Sequence, residues 1–565
     1  MLRTGMPRSV AVCAFMAACV QVQAQTSPPV IPTPSELGER RPSVTTDPSR
    51  LPDVSTPVPS RLGAPDEDIR VDVKEFAVDP TAPSALRAAL PALVAPYVGK
   101  GKGFADLSNA AREVTRFLQS ELGYYLGFAY IPEQELQQGV IRIAVLEGRL
   151  DAIELAEPWP ADIPVQKELV QRYLAQLKPG AVLLVRDVER VVFLVNDLRG
   201  MSAEFEVQPG RTPGTAKLLV RAKAEKLLSY GVEADNANAR VLGTARATAN
   251  VVRNSPFGIG DSLTANLVGS KGLVFGLANY TAPVGSQGVR LGLSLSALKY
   301  TVDKQAFPQG LEGTANTVSA FGLYPYVRSR NLNLFLLATL DAKSYSDFDG
   351  ATKNPKRISV ASIGATGDLR DSLWGGGINS VDLQVSSGRV SFDVPPVVDP
   401  PGSNFSKLTL RAVRLQSLMP GLLQGYGVLR FQKAFNNLDV TEQFRAGGPD
   451  GVRAFPPGEG SGDNGLLASL ELRLLAPPSL LSVVGGSAFF SAFVDWAQIE
   501  RRNDPSALSA TVPNKVDYGG AGLGFVWTGP DGWEARASVA HPFQGEATNP
   551  ADRGTRFYLT VKKQF

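Results

Sequence analysis

The most constraining feature of this chain is a long region in which apolar and polar side chains alternate. The alternation occupies residues 227–565 in short runs, such as 245–251 and 289–295, that are separated by clusters of Gly, Asn, Asp, Pro and Ser. A period of two is typical of β-strands with one buried face, and no amphipathic helix stands out in the region. About 340 residues of this pattern exceed a typical β-sandwich of about 100 residues.

The first residues predict export. Two arginines precede an apolar stretch at residues 9–20, and the sequence Val-Gln-Ala then fits a small-residue cleavage site, so we predict a signal peptide over residues 1–24. The stretch is too short for a membrane-spanning anchor, although an uncleaved N-terminal anchor is the alternative reading. Cleavage would remove Cys13 and Cys19, which are the only cysteines. The mature chain would then hold neither a disulfide nor a thiol nucleophile.

Composition argues against several classes of function. The 57 Lys and Arg residues nearly balance the 54 Asp and Glu residues, so there is no sign of the basic patch that nucleic-acid binding requires. A single histidine cannot supply a multi-histidine metal site. The Gly-rich segment 461–465 lacks the Lys-Ser/Thr pair of a phosphate-binding loop. We therefore predict no enzyme activity, no catalytic residue, no cofactor and no metal.

Two small modules are predicted ahead of the alternating region. Residues 25–67 are rich in proline and read as an extended tail or linker. Residues 68–148 have the order strand, helix, helix, strand, strand, and residues 149–224 repeat that order. Such a repetition predicts a duplicated α+β unit.

An exported chain with many alternating strands and a terminal Phe565 fits a bacterial outer-membrane β-barrel, which we place at residues 225–565. A closed barrel pairs every backbone polar group, as a membrane requires. The uncharged stretch 474–494 is long enough for a membrane-spanning helix, but Pro477 and Pro478 interrupt it. We therefore expect a strand, a turn and another strand there.

Several motifs carry a resemblance to a known family. Residues 123–134 and 139–148 resemble the conserved parts of a POTRA module, and residues 447–455 read Gly-Gly-Pro-Asp-Gly-Val-Arg-Ala-Phe. Residues 493–497 read Phe-Val-Asp-Trp-Ala. With these motifs the chain resembles the TpsB transporters (ShlB/FhaC/HecB-like), the outer-membrane pores of two-partner secretion. They share a superfamily with BamA-type assembly proteins.

The resemblance implies a transmembrane antiparallel β-barrel of about sixteen strands, preceded by two periplasmic α+β POTRA domains. It implies a translocator in the Gram-negative outer membrane that recognises an unfolded TpsA-type exoprotein, of the haemolysin or adhesin kind, and passes it through the pore. Outer-membrane lipid and the barrel assembly machinery are the other implied partners, and no nucleic acid is expected. A BamA-like insertase and a simple porin remain as alternatives.

The resemblance also implies a site at which a loop around residues 447–465 folds back into the barrel. Its anchor motif is Val452, Arg453, Ala454 and Phe455. Its partners on the barrel wall are Phe493, Asp495 and Ala497, with Arg453 implied to pair with Asp495. Spacing alone favours two solvated charges instead. A C-terminal barrel signal is expected at Phe557, Leu559, Val561 and Phe565.

Two departures from the family pattern affect this site. Ala454 and Ala497 stand where the family usually has Gly. If either position requires a backbone conformation that only Gly adopts readily, the alanine would change where the end of the loop lies on the wall. The family's N-terminal plug helix has only residues 35–41 as a candidate, and barely two turns are too short to be stable alone.

Overall fold

A computed structural model describes residues 70–135, 138–394, 401–509 and 511–565. The predicted signal peptide, the Pro-rich segment and the plug-helix candidate at residues 35–41 lie outside these ranges. No helix in the described ranges is both long and apolar enough to cross a membrane.

The first module is a three-stranded sheet covered by two helices. Strand β2 lies parallel to β5, β4 lies antiparallel to β5, and β1 and β3 form a separate ribbon. Helix α2 buries Ala110, Val114 and Leu118 at helical spacing against the sheet residue Ile141. The elements are β1 (Val71–Val73), β2 (Glu75–Val78), α1 (Ser84–Val94), β3 (Gly99–Lys102), α2 (Phe104–Ser120), β4 (Phe128–Tyr130) and β5 (Val140–Leu146).

The second module repeats that topology. Strand β6 lies parallel to β8, and β7 lies antiparallel to β8, which matches the arrangement of the first sheet. The buried face of helix α4 includes Val188, Val191 and Val195. The elements are β6 (Arg149–Leu155), α3 (Lys167–Leu174), α4 (Val185–Asn196), β7 (Met201–Pro209) and β8 (Thr215–Ala224).

The alternating region closes into a barrel of sixteen antiparallel strands, as expected, with the last strand paired to the first. Its strands are β9 (Leu228–Asp235), β10 (Arg246–Asn254), β11 (Ser262–Ser270), β12 (Leu273–Val284), β13 (Val289–Thr301), β14 (Glu312–Arg328), β15 (Leu332–Phe348), β16 (Lys353–Asp371), β17 (Gly377–Phe392), β18 (Asn404–Met419), β19 (Leu423–Ala434), β22 (Asn464–Leu475), β23 (Ser487–Glu500), β24 (Lys515–Thr528), β25 (Trp533–Gln544) and β26 (Arg556–Gln564). Between β19 and β22, the short strands β20 (Phe444–Arg445) and β21 (Ser461–Gly462) form a hairpin.

The barrel wall is apolar outside and more polar inside. On β13, Leu291, Leu293 and Leu295 are exposed on the outer face, and serines alternate with them on the inner face. The stretch 474–494 forms the end of β22, a turn and most of β23, so the expected strand–turn–strand is confirmed. This alternation is the pattern of a barrel that faces lipid outside and water inside.

The second module contacts the barrel through the end of α4. Asp197 accepts two hydrogen bonds from Arg328 of β14, at 3.0 Å from Nε and 2.6 Å from Nη2. Arg190 of α4 donates to the carbonyl oxygen of Pro325 at 2.7 Å. The Arg328 side chain is only 4% exposed, so this ion pair is largely shielded from water. The module is therefore attached to the barrel beside the β14–β15 turn.

Candidate functional site: a loop folded into the barrel

The segment between β19 and β22, residues 435–463, lies inside the barrel. It is longer than the range around 447–465 expected from the motif, because it begins directly after Ala434 and β22 already starts at Asn464. Its innermost part is a tight turn in which the N–H of Val452 donates to the carbonyl oxygen of Ala446 at 2.7 Å. Val452 is fully buried.

Arg453 of the loop binds the carboxylate of Asp495 on the barrel wall. Its Nε donates to Oδ2 of Asp495 at 2.9 Å, and its Nη2 donates to Oδ1 at 2.8 Å. The backbone N–H of Arg453 also donates to Oδ2, at 3.0 Å. Asp495 is fully buried on the inner face of β23. A guanidinium held by two parallel bonds is fixed in orientation as well as in distance.

Other wall residues complete the surroundings of this cation. Nη1 of Arg453 donates to Oε2 of Glu471 at 3.0 Å, and Nη2 donates to Oγ of Ser469 at 3.2 Å. The guanidinium also lies over the ring of Phe493, 3.2 Å from its centroid. Two carboxylates and an aromatic face therefore stabilise one buried charge.

Glu471 and Ser469 belong to a segment, residues 469–473, that also resembles the family pattern, but the motifs predict no contact of either residue with Arg453. Both lie on β22, and the strand register places Ser469 opposite Asp495 and Glu471 opposite Phe493. Directly paired residues share a face of the sheet, so the pairing alone brings them to Arg453. The alternation of these residues with Leu470 and Leu472 indicates that they share the inner face of a strand. The sequence does not reveal which residues of β23 they are paired with.

Ala454 and Ala497 do not require a glycine conformation. The described non-glycine residues with positive φ are Gln138, Ser255, Trp374 and Asp531, so neither alanine is among them. Ala454 faces Gly520 of β24, where an added Cβ would lie 2.4 Å from the Cβ of Ala454. The alanine on the loop is therefore accommodated by a glycine on the wall.

Phe455 attaches the other side of the turn to the wall. Its ring meets the ring of Tyr518 edge to face, with centroids 4.9 Å apart, and the hydroxyl of Tyr558 donates to its carbonyl oxygen at 3.0 Å. Both tyrosines lie on the inner face of the barrel and are buried. The turn is thus held on β22, β23, β24 and β26 together.

Asp463 closes the base of the loop. This fully buried carboxylate accepts from the N–H of Leu438 at 3.2 Å, from Nε2 of Gln443 at 2.9 Å and from the N–H of Asn503 at 3.0 Å. It therefore joins both ends of the loop to the neighbouring loop after β23. Charge-assisted bonds to a buried carboxylate are among the stronger hydrogen bonds in proteins.

The residues of the expected C-terminal signal lie away from this site. Phe557, Leu559 and Val561 are exposed on the outer face of β26. Phe565 stacks on Tyr230 of β9 with centroids 4.9 Å apart, at the seam where the barrel closes. Among the residues that the structure describes, no cluster of His, Cys, Asp or Glu side chains is placed to hold a metal ion. The loop site is an arrangement for holding a segment in place.

A closed barrel with an apolar outer wall, two α+β modules at its N-terminal side and a loop seated in its lumen define an outer-membrane transporter with POTRA modules. A family model described as haemolysin secretion/activation protein ShlB/FhaC/HecB matches residues 214–524, more than half of the chain, and a model of the ShlB-type POTRA domain matches residues 71–148. The chain belongs to the ShlB/FhaC/HecB family, as the motifs indicated.

Similar proteins are transporters of the same kind. The chain is 24% identical over 489 residues to the heme/hemopexin transporter protein HuxB of Haemophilus influenzae, covering 83% of this chain and 82% of HuxB. It is 23% identical over 443 residues to the outer membrane transporter CdiB of Dickeya dadantii, covering 76% of each. The solved structure of CdiB from Escherichia coli has the same fold, with a TM-score of 0.69, 20% identity, and coverage of 92% of this chain and 94% of that one.

These findings establish the protein as an outer-membrane transporter of two-partner secretion whose POTRA modules lie in the periplasm. The insertase alternative is less well supported, because the matching family model describes secretion proteins. The family is one of transporters, and it secretes partner exoproteins.

Proposed function

We propose that this chain receives an unfolded TpsA-type exoprotein at its POTRA modules and passes it through the barrel when the loop tip, residues 450–455, leaves its seat. The seat is the set of wall residues that bind Arg453, with Asp495 at its centre. The seated loop, held by Arg453 on the buried Asp495, is the observation that carries the proposal. We also propose the domain limits 68–148, 149–224 and 225–565. The apolar outer face of the barrel contacts lipid. The barrel assembly machinery recognises the C-terminal strand through Phe557, Leu559, Val561 and Phe565.

The proposed receiving edge is strand β7 of the second module. The N–H and carbonyl groups of Ala203 point away from β8 and bond to the side chain of Asn196, at 2.8 and 3.1 Å. Because these directions alternate along an antiparallel strand, the backbone groups of Phe205 and Val207 point to the same free side. Neither has a backbone partner there within the described part of the chain. An extended client could add a strand at this edge.

The alternative for these modules is a structural spacer. A spacer would need no free edge, whereas β7 has one that is flanked by Glu204 and Glu206 on its outer face. Charged side chains on an edge strand discourage uncontrolled pairing and still allow a backbone to dock. This edge supports reception of a client over a purely structural role.

A double-mutant cycle at the loop tip tests the proposed role of the seat. Arg453→Ala and Asp495→Ala should each raise the single-channel current, because the loop tip leaves the wall. Each should also lower secretion of the partner exoprotein, because a buried charge left without its main partner costs about 3–5 kcal/mol and the tip no longer returns to one position. The double variant should be impaired no more than either single variant, since the same contact is lost. Exoprotein in the medium and single-channel current in planar bilayers are the measurements.

The control for this cycle is Arg357→Ala, which removes an exposed arginine from β16. It should secrete normally. Normal secretion by both Arg453→Ala and Asp495→Ala would refute the seat as a functional contact. Strictly additive losses in the double variant would show that the two residues act separately.

A further inference from the structure

The first part of the loop has a second attachment, on another region of the wall. We call residues 439–442 the loop stem and residues 450–455 the loop tip. Glu442 of the stem lies between two lysines of the barrel: Nζ of Lys343 is 2.7 Å from its Oε1, and Nζ of Lys407 is 3.0 Å from its Oε2. Lys407 also donates to the backbone carbonyl oxygen of Glu442 at 2.8 Å. The stem is therefore held through both side chain and backbone.

A third lysine binds the other acid of the stem. Nζ of Lys356 donates to both carboxylate oxygens of Asp439, at 2.8 and 2.9 Å. Asp439 in turn accepts from the N–H of Thr441 at 3.0 Å, which fixes the turn of the stem. We call Lys343, Lys356, Lys407, Asp439 and Glu442 the lysine clamp.

The lysine clamp is shielded from water. The two acidic side chains are 5% exposed and the three lysines are 10–13% exposed. Burial alone would disfavour the charged form of Glu442, but Lys407 and Lys343 lower its pKa to about 2. Removing one partner of such a group leaves an uncompensated buried charge, which is strongly destabilising. The stem is thus costly to detach.

The clamp and the tip share no residue. The lysines come from β15, β16 and β18, whereas Arg453 is bound by Asp495, Glu471, Ser469 and Phe493 of β22 and β23. Attachments without shared partners act as independent terms. The ion pairs of the tip all involve the single side chain of Arg453, beside the packing of Phe455 on Tyr518, whereas the stem is held by three separate lysines. Because every ion pair of the tip depends on Arg453, loss of that one contact frees the tip from the carboxylates of the wall, and the tip is the end expected to open first.

We propose that the lysine clamp is the fixed end of the loop, so that the tip detaches from Asp495 while residues 439–442 remain on the wall. This inference rests on the proposed gating by the loop. It assigns Lys343, Lys356 and Lys407 as positioning residues for that movement. The loop would then swing about its stem and would not leave the lumen as a whole.

Spin labels at two positions of the purified full-length chain test the proposal without any client. Cys13 and Cys19 are first replaced by Ser, and a single cysteine is placed at Val440 of the stem or Asp450 of the tip, both exposed. Arg453→Ala should mobilise the label at 450 and leave the label at 440 unchanged. Glu442→Gln or Lys343→Met should raise the mobile fraction at 440, by about tenfold. Mobilisation of both labels by Arg453→Ala would overturn the proposal.

A charge swap and a matched lysine variant complete the test. Lys356→Asp should mobilise the stem label, and the double variant Lys356→Asp with Asp439→Lys should return it toward the original mobility. This swap keeps the net charge of the clamp and exchanges a pair in which Asp439 binds one lysine. Lys299→Met removes an exposed lysine from β13 and should change neither label. If a single clamp variant does not assemble, the double variant decides: an immobile stem supports the clamp, and a mobile stem refutes it. Failure to secrete any client would instead contradict the proposed function.

Discussion

At the residue scale, the loop seat depends on complementary sizes at positions far apart in the chain. Ala454 on the loop tip lies against Gly520 on β24. The Cβ of Ala454 fits there only because Gly520 has no Cβ. The glycine that the family usually carries at the loop position is replaced here without a backbone penalty. Loop and wall must therefore be considered together.

Gly520→Ala should displace the loop tip, because its Cβ would lie 2.4 Å from the Cβ of Ala454. We expect a loss of about 1–3 kcal/mol, as for other overpacked contacts, and a noisier single-channel current. Adding Ala454→Gly should restore the current. Gly269→Ala on β11 is the control, since nothing lies within 4 Å of its added Cβ. Failure of Ala454→Gly to rescue Gly520→Ala would contradict this complementarity.

At the element scale, the two periplasmic sheets differ from the barrel in having edges. All sixteen barrel strands are paired on both sides, whereas β7 is paired only with β8. A strand with a free side can accept another strand through backbone hydrogen bonds, which demand little of the client's sequence. The edge thus suits a client that arrives unfolded.

Val207→Pro tests the edge directly. The change removes an N–H that points to the free side of β7 and leaves the bonds to β8 in place, so client binding should weaken by about tenfold. Val207→Ala is the matched control, because it shortens the side chain and keeps the N–H. The dissociation constant for a fluorescent N-terminal client fragment on the full-length chain is the measurement. Equal affinities of the two variants would rule out β7 as the receiving edge.

At the scale of the whole molecule, a client that binds a periplasmic module can enter the barrel only if that module is held next to it. The ion pair between Asp197 and Arg328 attaches the second module to the barrel, and Arg328 also lies over the rings of Phe193 and Phe335, 5.2 and 5.7 Å from their centroids. The contact is therefore stabilised by charge and by aromatic faces on both sides. It holds the second module in a defined position beside the barrel.

Asp197→Ala should uncouple the module from the barrel, since it leaves the buried Arg328 without its carboxylate. We expect severalfold lower secretion and faster protease cleavage between module and barrel, with unchanged thermal stability of the barrel itself. Asp187→Ala, an exposed position near the start of the same helix, should behave like the unmodified chain. Unchanged secretion by Asp197→Ala would show that this attachment is dispensable.

The architecture could be predicted from the amino-acid sequence, because it follows from the periodicity of apolar residues. Alternation with a period of two predicted the barrel, and apolar residues at helical spacing, as in α2 and α4, predicted the helices of both modules. The short ribbon strand β3 was missed, since its sequence Gly-Lys-Gly-Lys has no apolar pattern. The count of sixteen strands came from the family resemblance.

The contacts that hold the loop could not be predicted from the sequence, because they join residues from distant parts of the chain. In the lysine clamp, Lys356 and Asp439 are 83 residues apart along the chain, and Lys343 and Glu442 are 99 residues apart. Glu471 contacts Arg453 only because of the register in which β22 is paired. A lysine on the inner face of a strand looks the same in sequence whether it faces water or a carboxylate. Which charges meet depends on barrel closure and on the path of the loop, because ion pairs are set by distance in space.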